Sequence, residues 1–247
     1  MFKAQVNNTI IENKTLSNAA FYLYTYLVIH ARGDKKVDIY INQLLADMHW
    51  KSNKTLKKHL TRLKELRYIG YELGVSSKGY EYLPIHGSLT VYLNDNFINR
   101  QFTQVAIETL YGVRDATLLT EIHTMIDGEL VVKSVYDEKE LATRLYYMYE
   151  KSYNKKDNYS VPLTYVDIYS ITKGSNKVVK AVSNALVKSK LLIVFIGERI
   201  IGSNKRRANK YLPTWKRGRE FKTEPISKEK KIKGKIGKKI GKGMRGI

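Results

Sequence analysis

Cysteine is absent from the 247 residues, proline occurs four times and histidine five. Without cysteine there is no disulfide framework, no thiolate metal site and no cysteine nucleophile, so the fold must rest on burial alone, and a reducing cytoplasm suits it. No stretch approaches the roughly 20 apolar residues of a membrane-spanning helix. The opening MFKAQVNNTIIENK lacks the apolar core of a signal peptide. The chain therefore reads as cytoplasmic, with no membrane partner. Its length is enough for one large domain or two small ones, each burying a core of its own.

Acidic residues are the other scarcity. Only 23 Asp and Glu face 44 Lys and Arg, a formal charge of +21. A field of that sign favours polyanions. Residues 216–247 hold 13 basic and 3 acidic residues in a Lys/Gly-rich run ending KEKKIKGKIGKKIGKGMRGI. So little apolar surface cannot offset the entropy of ordering, and the run reads as a disordered basic tail. Residues 1–215 remain basic without it.

A repeat gives that charge a shape. KSNKTLKKHLTRL at 51–63 returns as GSNKVVKAVSNAL at 174–186. At an offset of 123, Lys54, Leu56, Lys57 and Leu63 meet Lys177, Val179, Lys180 and Leu186. Before the first copy, INQLLADMHW places Ile41, Leu44, Leu45 and Met48 on one helical face behind the capping candidate Asn42. After KSN, Leu56, Leu60, Leu63 and Leu66 recur three and four apart, the stripe of a second helix. Ile69–Val75 and Tyr80–Ile85 then read as a hairpin around SSKG. The second copy follows the same order: TYVDIYSI, SNKVVKAVSNALVKSK, and a hairpin in LLIVFIGERIIGSNKRRANKYLP. Matching its closing YLP to Tyr82–Pro84 makes the second hairpin six residues longer, with a basic tip at Lys205, Arg206 and Arg207.

Helix, turn, helix and hairpin spell a winged helix-turn-helix, so the expected fold is α+β, mainly α, with two such domains in tandem. Their boundaries fall at 1–88 and 89–215, ahead of the tail at 216–247. Ser17 opens a core helix in LSNAAFYLYTYLVIHA, EKELATRLYYMYEKSY reads as another, and the many tyrosines of these segments read as packing residues. DATLLTEIHTMID is expected as a helix, NFINRQFTQVAIETLYG as a linking helix, and LTVYLN as a strand in the connection.

The B-DNA major groove admits one α-helix, whose N-terminal residues meet base edges. The first reading set is Ser52, Asn53, Lys54, Lys57, Lys58 and Thr61, with Lys78 on the hairpin. The second is Ser175, Asn176, Lys177, Lys180 and Asn184, with Lys205, Arg206, Arg207 and Lys210 on its hairpin. Ser-Asn can cap the helix and offer amides to a phosphate, the lysines reach phosphate or guanine, and Asn184 suits adenine. Lys58 stands where the second copy has Ala181, so the two helices should read different half-sites. Solvated helix faces and a protein-binding role are the competing readings.

Enzyme signatures are missing. There is no G-x-x-x-x-G-K-[S/T], and His30, His49, His59, His86 and His123 show no paired metal spacing. His59-Leu60-Thr61-Arg62 has an H-x-x-R shape but sits on the first reading helix. No catalytic activity, metal or cofactor is expected.

LSNAAFYLYTYL, INQLLADM and SNKTLKKHLTRLKELRYIGYE together resemble the N-terminal winged-helix domain of replication initiators and replisome organisers from plasmids and phages of low-GC Gram-positive bacteria. The doubled unit is similar to plasmid initiators that bind iterons, the repeated origin sites, through tandem domains. This resemblance implies double-stranded DNA as partner at an origin, no activity of the chain's own, and self-association as a homodimer and host replication proteins as further partners to test. A transcriptional regulator of the same fold and a winged-helix adaptor of the replication or transcription machinery stay open as alternatives.

Overall fold

The computed structural model describes residues 4–31, 34–72, 74–75, 77–79, 81–83, 87–94, 102–117, 120–126, 128–136, 138–154, 159–160, 163–195 and 210–214. The elements in chain order are β1 (Ala4–Asn7), α1 (Asn8–Ile11), α2 (Asn18–His30), β2 (Lys36–Tyr40), α3 (Ile41–Met48), α4 (Asn53–Glu65), β3 (Ile69–Tyr71), β4 (Gly74–Val75), β5 (Glu81–Tyr82), β6 (Ser88–Leu93) and β7 (Phe102–Val105). They continue with α5 (Ile107–Thr117), β8 (Thr120–Ile126), β9 (Glu129–Tyr136), α6 (Lys139–Lys151), β10 (Tyr153–Asn154), β11 (Tyr159–Ser160), α7 (Tyr165–Thr172), α8 (Asn176–Lys188), β12 (Leu192–Phe195) and β13 (Lys210–Pro213). The architecture is mixed α and β, mainly helical, with small antiparallel sheets.

Two helices form the centre. In α2 every residue from Ala20 to Ile29 is buried, and in α6 Lys139 and every residue from Leu141 to Glu150. A helix apolar on all sides must be enclosed by others, and α2 packs against α6 while α5 and α8 also pack on α6. Tyrosine fills much of this volume: Tyr22, Tyr26, Tyr146, Tyr147 and Tyr149 rank among the largest fully buried side chains. One hydrophobic cluster runs from Ala4 to Leu192, so both copies of the repeat share a core.

Arg144 of α6 is buried in that core with backbone oxygens in place of a carboxylate. Its Nε donates to the Ile11 carbonyl at 3.1 Å, its Nη1 to Leu16 at 2.5 Å and its Nη2 to Asn13 at 2.5 Å. These satisfy carbonyls around the short loop between α1 and α2. Burial pushes the guanidinium down to about 10, leaving it charged at neutral pH.

The repeat is visible in the backbone. A left-handed residue follows the first helix of each pair, His49 after α3 and Lys173 after α7, and another follows each second helix, Arg67 and Lys190. After α4, Tyr68 N donates to Leu63 O at 2.9 Å and Arg67 N to Lys64 O at 2.9 Å; after α8, Leu191 N donates to Leu186 O at 2.9 Å and Lys190 N to Val187 O at 3.0 Å. This double closure uses up the last helical carbonyls and turns the chain into β3 or β12 at the same angle. The return strands are tied alike, Asn94 N to Tyr68 O at 3.1 Å and Thr214 N to Leu191 O at 3.0 Å.

Several expectations change here. β6, which contains all of LTVYLN but its last residue, is the middle strand of the sheet β2-β6-β3, pairing Val91 with both Val37 and Tyr71, so it belongs with the first helix pair. β4 and β5 form a separate outer hairpin. Ile69 pairs with Leu93 across positions 69 to 93, whereas Leu192 pairs with Pro213 across 192 to 213. The second connection is therefore the shorter, and YLP at 211–213 corresponds to Val91–Leu93 rather than to Tyr82–Pro84. Residues 120–126 are a strand paired with β9 instead of a helix, and 102–105 are a strand paired with β1. Asn42 lies inside α3, whose N-cap is Tyr40. The 216–247 tail lies outside the described residues.

Candidate nucleic-acid interface

α4 begins at Ser52, whose Oγ accepts from Lys54 N at 3.1 Å. Leu56, His59, Leu60 and Leu63 point into the core. The opposite face, Lys54, Lys57, Lys58, Thr61, Arg62 and Glu65, lines an open groove of about 570 Å³ whose other wall holds Thr15 and Ser17, just before α2. Lys54 and Lys58 are exposed, and their side chains make no hydrogen bond or ion pair among the described residues. Asn53 is half-buried, and its Oδ1 has no hydrogen-bond partner there. Thr61 is less free: its hydroxyl lies 3.2 Å from the Tyr71 hydroxyl. Arg62 closes one end of the groove, donating from Nη2 to Thr15 O at 3.2 Å and pairing through Nη1 with Glu65 at 3.0 Å.

His59 is buried beside the Trp50 ring, 5.2 Å between centroids. Burial first, and the Lys58 charge second, hold its imidazole below its ordinary pKa, so it is neutral at pH 7. The H-x-x-R shape is thus split between a core histidine and an arginine engaged with Glu65 and with the loop before α2.

α8 presents a simpler surface. Ser175 Oγ accepts from Val178 N at 3.4 Å, and α7 opens with a capping box between Thr164 and Asp167. Val179, Val182, Ser183 and Leu186 are buried, with Ser183 Oγ donating to Val179 O at 2.8 Å. Asn176, Lys177, Lys180 and Asn184 are all exposed, and none has a partner among the described residues. Ala181, opposite Lys58 in the repeat, is half-buried. The turn before α8 is tight: a Cβ on Gly174 would stand 2.8 Å from Leu141 Cδ1 and 3.0 Å from Val179 Cγ2.

Each turn is also anchored by a distant element. Trp50 Nε1 donates to Glu140 Oε1 at 2.9 Å, and Arg114 Nη1 to Asp47 O at 3.1 Å, fixing the end of α3 to α6 and α5. Asn18 Nδ2, at the start of α2, donates to Thr172 O at 2.8 Å and so caps the end of α7. α4 and α8 are therefore presented from one framework.

Among the other expected contacts, Lys78 is exposed in the turn at 77–79 between β4 and β5, and Lys210 opens β13 opposite Phe195. Lys205, Arg206 and Arg207 lie outside the described residues. Five groove residues were outside the predicted reading set: Thr15, Ser17, His59, Arg62 and Glu65. Arg62 was within reach of it, being four positions after Lys58 and eight after Lys54 on the same face, whereas Thr15 and Ser17 enter only through tertiary packing.

No family model and no curated protein matches this chain. Among the described residues no helix is long and apolar enough to cross a membrane.

Proposed function

We propose that the chain is a sequence-specific double-stranded DNA-binding protein with two winged-helix modules, acting as a plasmid or phage replication initiator on repeated origin sites. The observation that carries this reading is the repeated presentation of α4 and α8. Both follow a serine cap, share the same closing geometry, and turn outward a face of lysine and small polar groups. α4 supplies Asn53, Lys54, Lys57 and Lys58; α8 supplies Asn176, Lys177, Lys180 and Asn184. Lysines along such a face neutralise phosphates and set affinity, while an exposed asparagine can form paired hydrogen bonds with adenine. The chain performs no chemistry in this reading. Any strand opening would come from binding energy and recruited partners.

The test is retention of fragmented DNA from the replicon that encodes the protein, at physiological salt, by the full chain and by a form ending at residue 215. Both forms are expected to enrich one region carrying short direct repeats. Isolated promoter sites would point to a transcriptional regulator. Enrichment that vanishes with the tail would leave α4 and α8 to a protein partner and end the DNA-reading proposal.

A further inference from the structure

β8 and β9 form a two-stranded ladder that pairs with no third strand among the described residues. β8 also packs against α8. At the tip, Met125 and Leu130 are cross-strand partners, and Ile126 and Val131 occupy neighbouring rungs. These four side chains are 38–65% exposed. An isolated hairpin is marginal in water, and apolar groups clustered on its tip mark a contact surface more than a fold requirement.

The charge of this arm says what the contact is not. Residues 120–136 carry Glu121, Asp127 and Glu129 against Lys133, a net of −2 within a chain of +21. An acidic tip is repelled by phosphate, so DNA is the wrong partner. Two such tips facing each other would also repel.

The chain itself carries the complementary surface. On α7, Tyr165, Val166 and Tyr169 are 39–73% exposed. The two rings lie 6.0 Å apart, and Lys173 Nζ stands 5.8 Å from the centre of the Tyr169 ring. The equivalent positions of α3 offer no such patch: Ile41 is buried and Leu45 is packed against the core. An apolar patch edged by a cation fits an apolar tip edged by Glu129.

We infer that the β8–β9 tip of one copy of this chain docks on the Tyr165/Val166/Tyr169 patch of a second copy. Such a contact is heterologous, so it leaves one arm and one patch free and extends head to tail. Copies bound to direct repeats share one orientation, which is the arrangement that this contact propagates. That last link rests on the proposed function; the contact does not, and is tested without DNA. A surface of this size falls below the roughly 1,200 Å² of a stable interface and gives weak association, strengthened when neighbouring sites hold copies side by side.

The test is sedimentation velocity of the full chain over about 1 to 100 μM, the range suited to so small an interface. Four samples are compared: wild type, an arm variant (Met125→Asp with Leu130→Asp), a patch variant (Val166→Asp with Tyr169→Asp) and the two variants mixed. Wild type is expected to grow beyond dimer with concentration, and each variant alone to stay monomeric. Their equimolar mixture is expected to form dimers and stop there, because only one arm and one patch match. All four positions are exposed, so folding should persist. Circular dichroism and thermal melting check it, and serine replaces aspartate if a variant unfolds. A monomeric wild type, a patch variant that associates normally, or a mixture of folded variants that stays monomeric would overturn the inference.

Discussion

The pairs α3–α4 and α7–α8 share a serine cap on the second helix, left-handed residues after both helices and the closing hydrogen bonds, yet their outward faces differ in what is left available. α4 is rich in charge and backed by a groove, but its Thr61 is occupied by Tyr71 and its Arg62 by Thr15 and Glu65. α8 has fewer cations, and its Asn176 and Asn184 are unengaged among the described residues. Under the proposed function, the first helix would grip the phosphate backbone and the second would distinguish bases.

Seven variants bear on that comparison. The largest effect is expected from Arg144→Ala, which removes a donor from three loop carbonyls, Ile11, Asn13 and Leu16, at the core shared by both pairs. Denaturant unfolding should show a loss of about 3 kcal/mol or more, and an unchanged midpoint would mean that the halves do not depend on this tie. Next, replacing Lys54, Lys57 and Lys58 together by Ala should lower the log-log salt slope of DNA binding by up to about 2.7, against about 1.8 for Lys177 with Lys180, since each phosphate contact is worth roughly 0.9. Equal slopes would erase the division of labour.

Base reading gives a smaller and more selective effect. Asn184→Ala should cost about 1 to 3 kcal/mol on the preferred sequence and little elsewhere. Thr61→Ala should alter preference far less, because Tyr71 already engages that hydroxyl; competition titrations with single-base variants of the site separate the two. The smallest change is expected from Arg67→Gly and Lys190→Gly. Relieving a left-handed side-chain residue at each helix end should raise stability by up to about 1 kcal/mol per site, measured by thermal melting, with equal gains if the two closures are equivalent.

Much of the helical framework was legible from the chain alone. Apolar residues three and four apart fixed α4 and α8 because both helices bury one stripe, and the Ser-Asn steps marked their starts because serine competes well for the cap. Asn42 misled, since Ile41 is fully buried and draws the helix start back to Tyr40. β8 was read as a helix because Ile122, Met125 and Ile126 also fit a helical stripe. The better signal was Asp127-Gly128, the two-residue step between paired Ile126 and Glu129, with Gly128 at a φ of +84°.

Non-local pairing was harder to see. YLP occurs twice, but strand partners are selected by burial: Leu89, Val91 and Leu93 give β6 a buried face, and the tripeptide at 82–84 has no such alternation to place it there. For the candidate interface, helical period located the lysine faces. It could not reveal which members are already engaged, because Arg62 meets Thr15 from 47 residues away and Thr61 meets Tyr71 across the turn into β3.

The division between gripping and reading is open to one direct measurement: selection of preferred duplexes from a random-sequence pool by wild type, by Asn184→Ala and by the Lys54/Lys57/Lys58 triple Ala variant. Wild type should enrich a two-part site. Asn184→Ala should relax one part alone, and the lysine variant should weaken every duplex while keeping the same preferences. No enriched sequence from wild type, or both parts relaxing together in Asn184→Ala, would contradict two modules reading duplex DNA in different ways.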